Sequence, residues 1–158
     1  LLSDKDLSHM ARYVLERMPG PEPVAALREV LPKLTARQQV GVIVSLGARR
    51  DAQSIAALTG LLASADSEVA GAAARSLGCI GTPEAVVAIS DFQLKAPDKL
   101  RAVVADACLA GAERLLASGN RSQARTVYRA LNNPNQPKQI RMAATRGMLA
   151  TAAKKPGK

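Results

Sequence analysis

The chain has 158 residues with 22 Lys or Arg against 13 Asp or Glu, a formal charge of +9, and only Tyr13, Phe92 and Tyr128 as aromatics. That length suits one continuous core, filled here by Leu, Val, Ile and a large share of Ala, which excludes an aromatic-lined interior. No apolar run approaches the roughly 18 residues of a membrane helix, so no membrane span is expected.

A 31-residue period runs through the first two thirds. V-A-A-L-R-E-V-L from Val24 recurs as I-A-A-L-T-G-L-L from Ile55, and Ser45-Leu46-Gly47 returns as Ser76-Leu77-Gly78. A fixed period of this size, built of two helical stripes, signals a solenoid of stacked hairpins. The chain begins at Leu1 and not at Met, and its first residues carry neither the basic nor the apolar segment of a secretion signal, so a fragment or processed form is expected, and no compartment is assigned.

The first repeat spans about 4–34. Leu7, Met10, Ala11, Val14, Leu15 and Met18 follow the i, i+3, i+4, i+7 spacing of a buried helical stripe, and Tyr13 is placed with that core. Met18-Pro19-Gly20-Pro21 stops the helix, and Pro21 and Pro23 suit the first turn of the next, whose inner face is Val24, Leu27, Val30 and Leu31. In the second repeat, about 35–65, Val42 and Leu46 take the places of Ala11 and Leu15, and Asp51 is the expected N-cap for the helix carrying Ile55, Leu58, Leu61 and Leu62. The third, about 66–96, places Val69, Ala73, Leu77 and Ile80 on one stripe. Its turn offers Thr82 as cap, Pro83 as first helical residue and Glu84 to complement the helix dipole. The recurring Gly47 and Gly78 are read as helix ends.

The segment Glu68 to Gly78, with the turns at Asp51 and Thr82 and the compact second helix, resembles the HEAT repeat family in its short form, the type known from phycobilisome-lyase-like repeats. The match is clearest over 35–96; it departs where Ala70 and Gly71 stand in place of the usual Arg. The resemblance extends to HEAT segments within large modular bacterial proteins. It implies an all-α, right-handed solenoid of about nine helices in antiparallel hairpins, a single domain over 1–153 that acts as a scaffold or recognition surface. It implies no common ligand, and with so few aromatics no tetrapyrrole pocket and no cofactor are expected.

After residue 97 the pattern lengthens. Leu100, Val104 and Cys108 keep register, but the helix from Asp98 continues through Leu115 and Leu116 to a Ser118-Gly119-Asn120 stop, and the fourth repeat extends over about 97–134. Within it, S-Q-A-R-T-V-Y-R-A-L resembles the second helix of a tetratricopeptide repeat, with Ala124, Val127, Tyr128 and Leu131 facing inward. A half-repeat over 135–153 buries Ile140, Ala143, Ala144, Gly147 and Met148, and 154–158 is expected to be a disordered basic tail.

Charge divides at the same place. Residues 1–113 hold 12 basic and 13 acidic side chains, whereas 114–158 hold 10 basic and no acidic one. Arg121, Arg125 and Arg129 recur at i, i+4, i+8 along one flank of a helix, where like charges repel by a few tenths of a kcal/mol per pair. Lys138, Arg141 and Arg146 follow on the last helix. A solvated surface, a contact with an acidic face of another protein or parent-chain domain, and nucleic-acid binding are the readings of this cluster. The protein contact is the leading functional one. Nucleic acid is its alternative, disfavoured by the lack of stacking platforms.

Catalysis finds no foothold. The lone His9 on the first helix has no nucleophile or carboxylate in sequence reach, and Asp4 with Asp6 and Asp66 with Glu68 sit at helix starts, where acids cap. Cys79 and Cys108 are 29 positions apart with no C-x-x-C pair; buried free thiols are expected, with a bridge between adjacent layers left open. The chain is therefore read as non-catalytic, with no metal site and no small-molecule substrate.

Overall fold

The computed structural model describes Leu2, Asp4 and residues 7–153; Asp6 and the tail at 154–158 lie outside the described residues. Among them run nine α-helices and no strand: α1 Ser8–Arg17, α2 Glu22–Val30, α3 Ala36–Ala48, α4 Ile55–Leu61, α5 Ser67–Ile80, α6 Pro83–Gln93, α7 Asp98–Ala117, α8 Arg121–Leu131 and α9 Lys138–Ala152. They form the expected all-α solenoid, in which α1, α3, α5 and α7 stack as first helices. The second helices α2, α4 and α6 cover one side, and α8 and α9 close on α7. One apolar cluster runs unbroken from Val24 to Ala144.

Local chemistry starts several of these helices as the residues dictate. The Asp66 carboxylate accepts from the backbone N–H groups of Glu68 at 2.8 Å and Val69 at 3.3 Å, and the Thr82 hydroxyl accepts from Ala85 N–H at 3.3 Å. Each satisfies an N–H that the helix itself leaves without a partner. Pro83 occupies the first position of α6 without losing a hydrogen bond. Asp51 behaves otherwise. Its carboxylate turns away from the helix and takes Arg28 Nη1 at 2.9 and 3.2 Å, while the chain enters α4 through a 3-10 turn, Ala52–Ser54, closed by Ser54 Oγ donating to the Asp51 carbonyl at 2.8 Å. Arg50, with φ 52°, sets up that turn. An inter-helix ion pair has thus replaced the expected cap.

The first helices stack in register. Ser76 of α5 donates its hydroxyl to the Ile43 carbonyl at 2.9 Å, and Gly47 lies against the same serine. Ser76 therefore sits over the turn from Ile43 to Gly47, which is centred on Ser45, its own equivalent 31 residues earlier. Gly78 sits likewise between Ala107 and Gly111, and Glu16 between Ser45, whose Oγ donates to Glu16 Oε1 at 2.5 Å, and Arg49, whose Nη1 donates to the Glu16 carbonyl at 3.2 Å. Small side chains at these positions let helix backbones approach closely. Gly47 and Gly78 consequently lie within α3 and α5 and serve layer contact, not helix termination; the left-handed residue that ends α5 is Gly81, φ 65°.

Two further expectations are corrected. The stripe on α1 is not core: α1 buries no residue, Ala11 and Leu15 are half-buried, and Leu7, Met10, Tyr13, Val14 and Met18 are exposed. Arg12 and Glu16 bridge to α3, and Leu15 packs against the edge of the core, while Leu7, Met10, Val14 and Met18 stay exposed. Tyr13 packs instead under the Arg17 guanidinium, 3.9 Å from the ring centre. The two thiols are free and differ: Cys108 is on the buried face of α7, as expected, while Cys79 of α5 is exposed and not buried.

Candidate functional site

The basic third of the chain is the last turn of α7 with α8 and α9, which pack on α7. Gly119, φ 90°, makes the sharp turn after α7 that lets α8 fold back. Ala124, Val127, Tyr128 and Leu131 then turn inward as the apolar spacing requires. The Tyr128 ring lies flat on the α9 backbone at Gly147, where any side chain would collide with it. Burial, with Glu113 nearby as a lesser influence, pushes the Tyr128 hydroxyl up to about 12. This crossing fixes α9 against α8 and so decides which cations share a surface.

The six cations singled out in the sequence separate into two groups. Arg121 is half-buried and turned onto the C-terminal end of α9, where its guanidinium donates to the carbonyls of Ala150 at 3.0 Å, Thr151 at 3.3 Å and Ala153. Those carbonyls have no partner within the helix, and a cation there also complements the negative end of the dipole. Arg121 is a helix cap made from another helix. Arg125 and Arg129 are exposed on α8. Lys138, Arg141 and Arg146 come together on α9, lining with Asn132, Met142 and Thr145 a groove of about 460 Å³.

Five of the six residues that line the groove, all but Met142, carry hydrogen-bond donors, set among apolar stems. No side chain caps the α9 N-terminus and its first turn carries no acid, so the positive end of the helix opens beside Lys138 and Arg141. Arg141 is half-buried, and its Nε is sealed from solvent without a hydrogen-bond partner. Among the described residues the ion pairs are Arg28–Asp51, Lys33–Glu29 and Arg101–Asp98, and none reaches beyond residue 101. With no carboxylate in 114–158, the chemistry offered is recognition of oxygen acceptors bearing negative charge. The contributions of Asn132 and Thr145 were not foreseen: both are common residue types, and only the docking of α8 on α9 brings them beside the arginines.

The rest of the surface offers no group of three His, Cys, Asp or Glu able to hold a metal among the described residues. His9 is exposed on α1, with Arg12 Nη2 at 3.4 Å from its Nδ1. No described helix is long and apolar enough to cross a membrane.

The comparisons bear on the regular part of the chain. A family model described as HEAT repeats matches residues 25–110, from α2 into α7, and ends before the acid-free segment begins. No curated protein and no solved structure matches the chain.

Proposed function

The chain belongs to the HEAT repeat family, whose members are generally protein-interaction scaffolds and typically non-catalytic, and from that premise we propose that this chain docks an acidic face of another protein, or of another domain of its parent chain, on its α8–α9 layer. The observation that carries this reading is the groove of Lys138, Arg141 and Arg146 at the uncapped start of α9, with Arg125 and Arg129 exposed on the neighbouring helix and no acid in the segment. Uncompensated like charges destabilise the isolated layer; an acidic partner relieves that repulsion and supplies acceptors to donors that the fold leaves open.

A peptide carboxylate suits this surface better than a nucleic acid. Tyr128 and Phe92 are buried and Tyr13 lies on α1, so no aromatic is offered beside the arginines for base stacking. The test is fluorescence anisotropy with a labelled Glu-rich peptide and, in parallel, a labelled DNA duplex. The peptide is expected to bind, and Arg125→Glu with Arg141→Glu to weaken it at least tenfold. Tighter binding of the duplex, with affinity falling by roughly three decades between 50 and 200 mM salt as expected for six phosphate contacts, would shift the function to nucleic acid. Retention of peptide binding by the double variant would remove the surface from consideration.

A further inference from the structure

Among the described residues six arginines are half-buried: Arg12, Arg28, Arg49, Arg114, Arg121 and Arg141. Four of them end on an acceptor of the fold. Arg12 reaches the Gly41 carbonyl, Arg28 reaches Asp51, Arg49 takes the carbonyls of Met18 at 2.7 Å and Gly20 at 2.8 Å, and Arg121 takes the end of α9. Arg141 belongs to the groove on α9. Arg114, in the last turn of α7, has neither a hydrogen bond nor an ion pair, although its stem is held in place. That stem crosses Gly81, where a Cβ would stand 2.6 Å from Arg114 Cβ and 2.7 Å from its Cδ. A guanidinium positioned and partly desolvated in this way, with no acceptor, carries a cost that an anion beside it removes.

Arg114 lines a cavity of about 440 Å³ at the edge where α5 turns into α6 and α7 into α8, and every wall of it comes from within residues 50–120. Arg50, from the layer before Gly81, lines the same cavity; it is exposed, stands at φ 52°, and also lacks a hydrogen bond or ion pair. Neutral donors stand beside the two guanidinium groups. The Thr82 oxygen accepts from Ala85 N–H, which leaves its own proton to donate, and Asn120 gives one amide hydrogen to Ser118 Oγ at 3.1 Å and keeps the other. No carboxylate lines the cavity. Asp51, next to Arg50, is taken by Arg28, and Glu113, next to Arg114, does not border the space. Ile80, Pro83 and Ala117 make its apolar side.

We infer that this cavity binds a phosphate group. Two guanidinium forks with a hydroxyl and an amide offer more donors than the two oxygens of a carboxylate can engage, whereas a phosphate presents three oxygens and about two negative charges. The apolar side of the cavity leaves room for the stem of a phosphate ester. The site is separate from the groove of Lys138, Arg141 and Arg146, and it does not depend on what that groove binds.

Backbone amide shifts of the full chain, followed by NMR, test this in titrations with inorganic phosphate, with a phosphoserine tripeptide of otherwise neutral residues, and with the same tripeptide unphosphorylated. The two phosphate probes are expected to shift amides at 81–85 and 118–123 to saturation, and the third probe to shift none. Tighter binding of the phosphopeptide assigns the group to a phosphorylated side chain, and tighter binding of inorganic phosphate to the free anion; either result upholds the site. Arg50→Gly suits φ 52°, and Arg114→Met keeps a stem over Gly81. Each is expected to leave the urea midpoint in place and to weaken phosphate binding about tenfold or more. Arg75→Ala, at an exposed arginine that borders neither cavity nor groove, is expected to leave binding unchanged. No saturation up to about 10 mM of either phosphate probe, shifts confined to 138–146, binding of the unphosphorylated peptide, full affinity in Arg50→Gly and Arg114→Met, or an equal loss in Arg75→Ala would each overturn the inference.

Discussion

Gly78 of α5 and Ala107 of α7 meet backbone to backbone, so that a methyl group at residue 78 would stand 2.5 Å from the Ala107 carbonyl oxygen. No rotamer relieves that clash, because the obstacle is main chain; the layers must separate. Gly78→Ala is expected to destabilise by about 1–3 kcal/mol in urea unfolding, despite the better helix propensity of Ala. Gly60 in α4 has nothing within 4 Å of the same group. There, Gly60→Ala should gain about 0.5–1 kcal/mol. Similar effects from the two substitutions would mean that the layers are not in contact at Gly78.

The Arg28–Asp51 pair joins α2 to the start of α4 at 2.9 Å, with the carboxylate only 9% exposed. Removing either partner leaves the other half-buried and unpaired. Asp51→Ala and Arg28→Ala are each expected to cost about 2 kcal/mol, and the double variant little more than either. Additive losses in that cycle would show that Asp51 acts alone, as a cap would.

Arg121 and its helical neighbours separate by what they touch. Arg121→Ala frees the carbonyls at the end of α9, with an expected loss of about 1–2 kcal/mol and faster amide exchange over the last turn of that helix. Arg125→Ala and Arg129→Ala should stay within about 0.5 kcal/mol of the parent, as exposed positions do. Exchange at 149–153 unaltered by Arg121→Ala would dissociate it from α9.

Alkaline pH should weaken the fold through two buried groups. Burial pushes the Cys108 thiol up to about 12, the Ser90 hydroxyl offsetting only part of that, and Tyr128 likewise to about 12. Both are neutral in the fold at pH values where the unfolded chain has already lost their protons. The stability they contribute is therefore complete below about pH 9 and is lost as pH rises from about 9 to 12. Cys108→Ala and Tyr128→Phe are each expected to flatten the fall of the urea midpoint over that range. At neutral pH one thiol, the exposed Cys79, should react rapidly with a thiol reagent and Cys108 only on unfolding.

The middle of the fold was readable because its signals are local: Asp66, Thr82 and Pro83 act within three residues of themselves, and the stripe of Val69, Ala73, Leu77 and Ile80 is buried as its spacing says. What was misread depends on neighbours. A glycine is chosen either for a left-handed backbone or for want of a side chain, and nothing near Gly47 or Gly78 in sequence distinguishes the two. The spacing of Leu7, Met10 and Val14 defines an apolar face but not whether anything lies on it. Arg121, Arg125 and Arg129 share a flank by periodicity; only the end point of α9 determines which one finds carbonyls. The gathering of positive charge after residue 113 was plain, while the groove that concentrates three of the cations required the Tyr128–Gly147 crossing.

Stacking in register turns the 31-residue period into columns. Tyr13, Val44, Arg75 and Asp106 are equivalent positions on α1, α3, α5 and α7, and all four are exposed. Neighbouring helices lie about 8–10 Å apart, and an extended chain advances about 10 Å in three residues. The first-helix side of the molecule is thus a ruler graduated at every third residue of an extended segment, running from an aromatic mark through an aliphatic one to a cation and an anion.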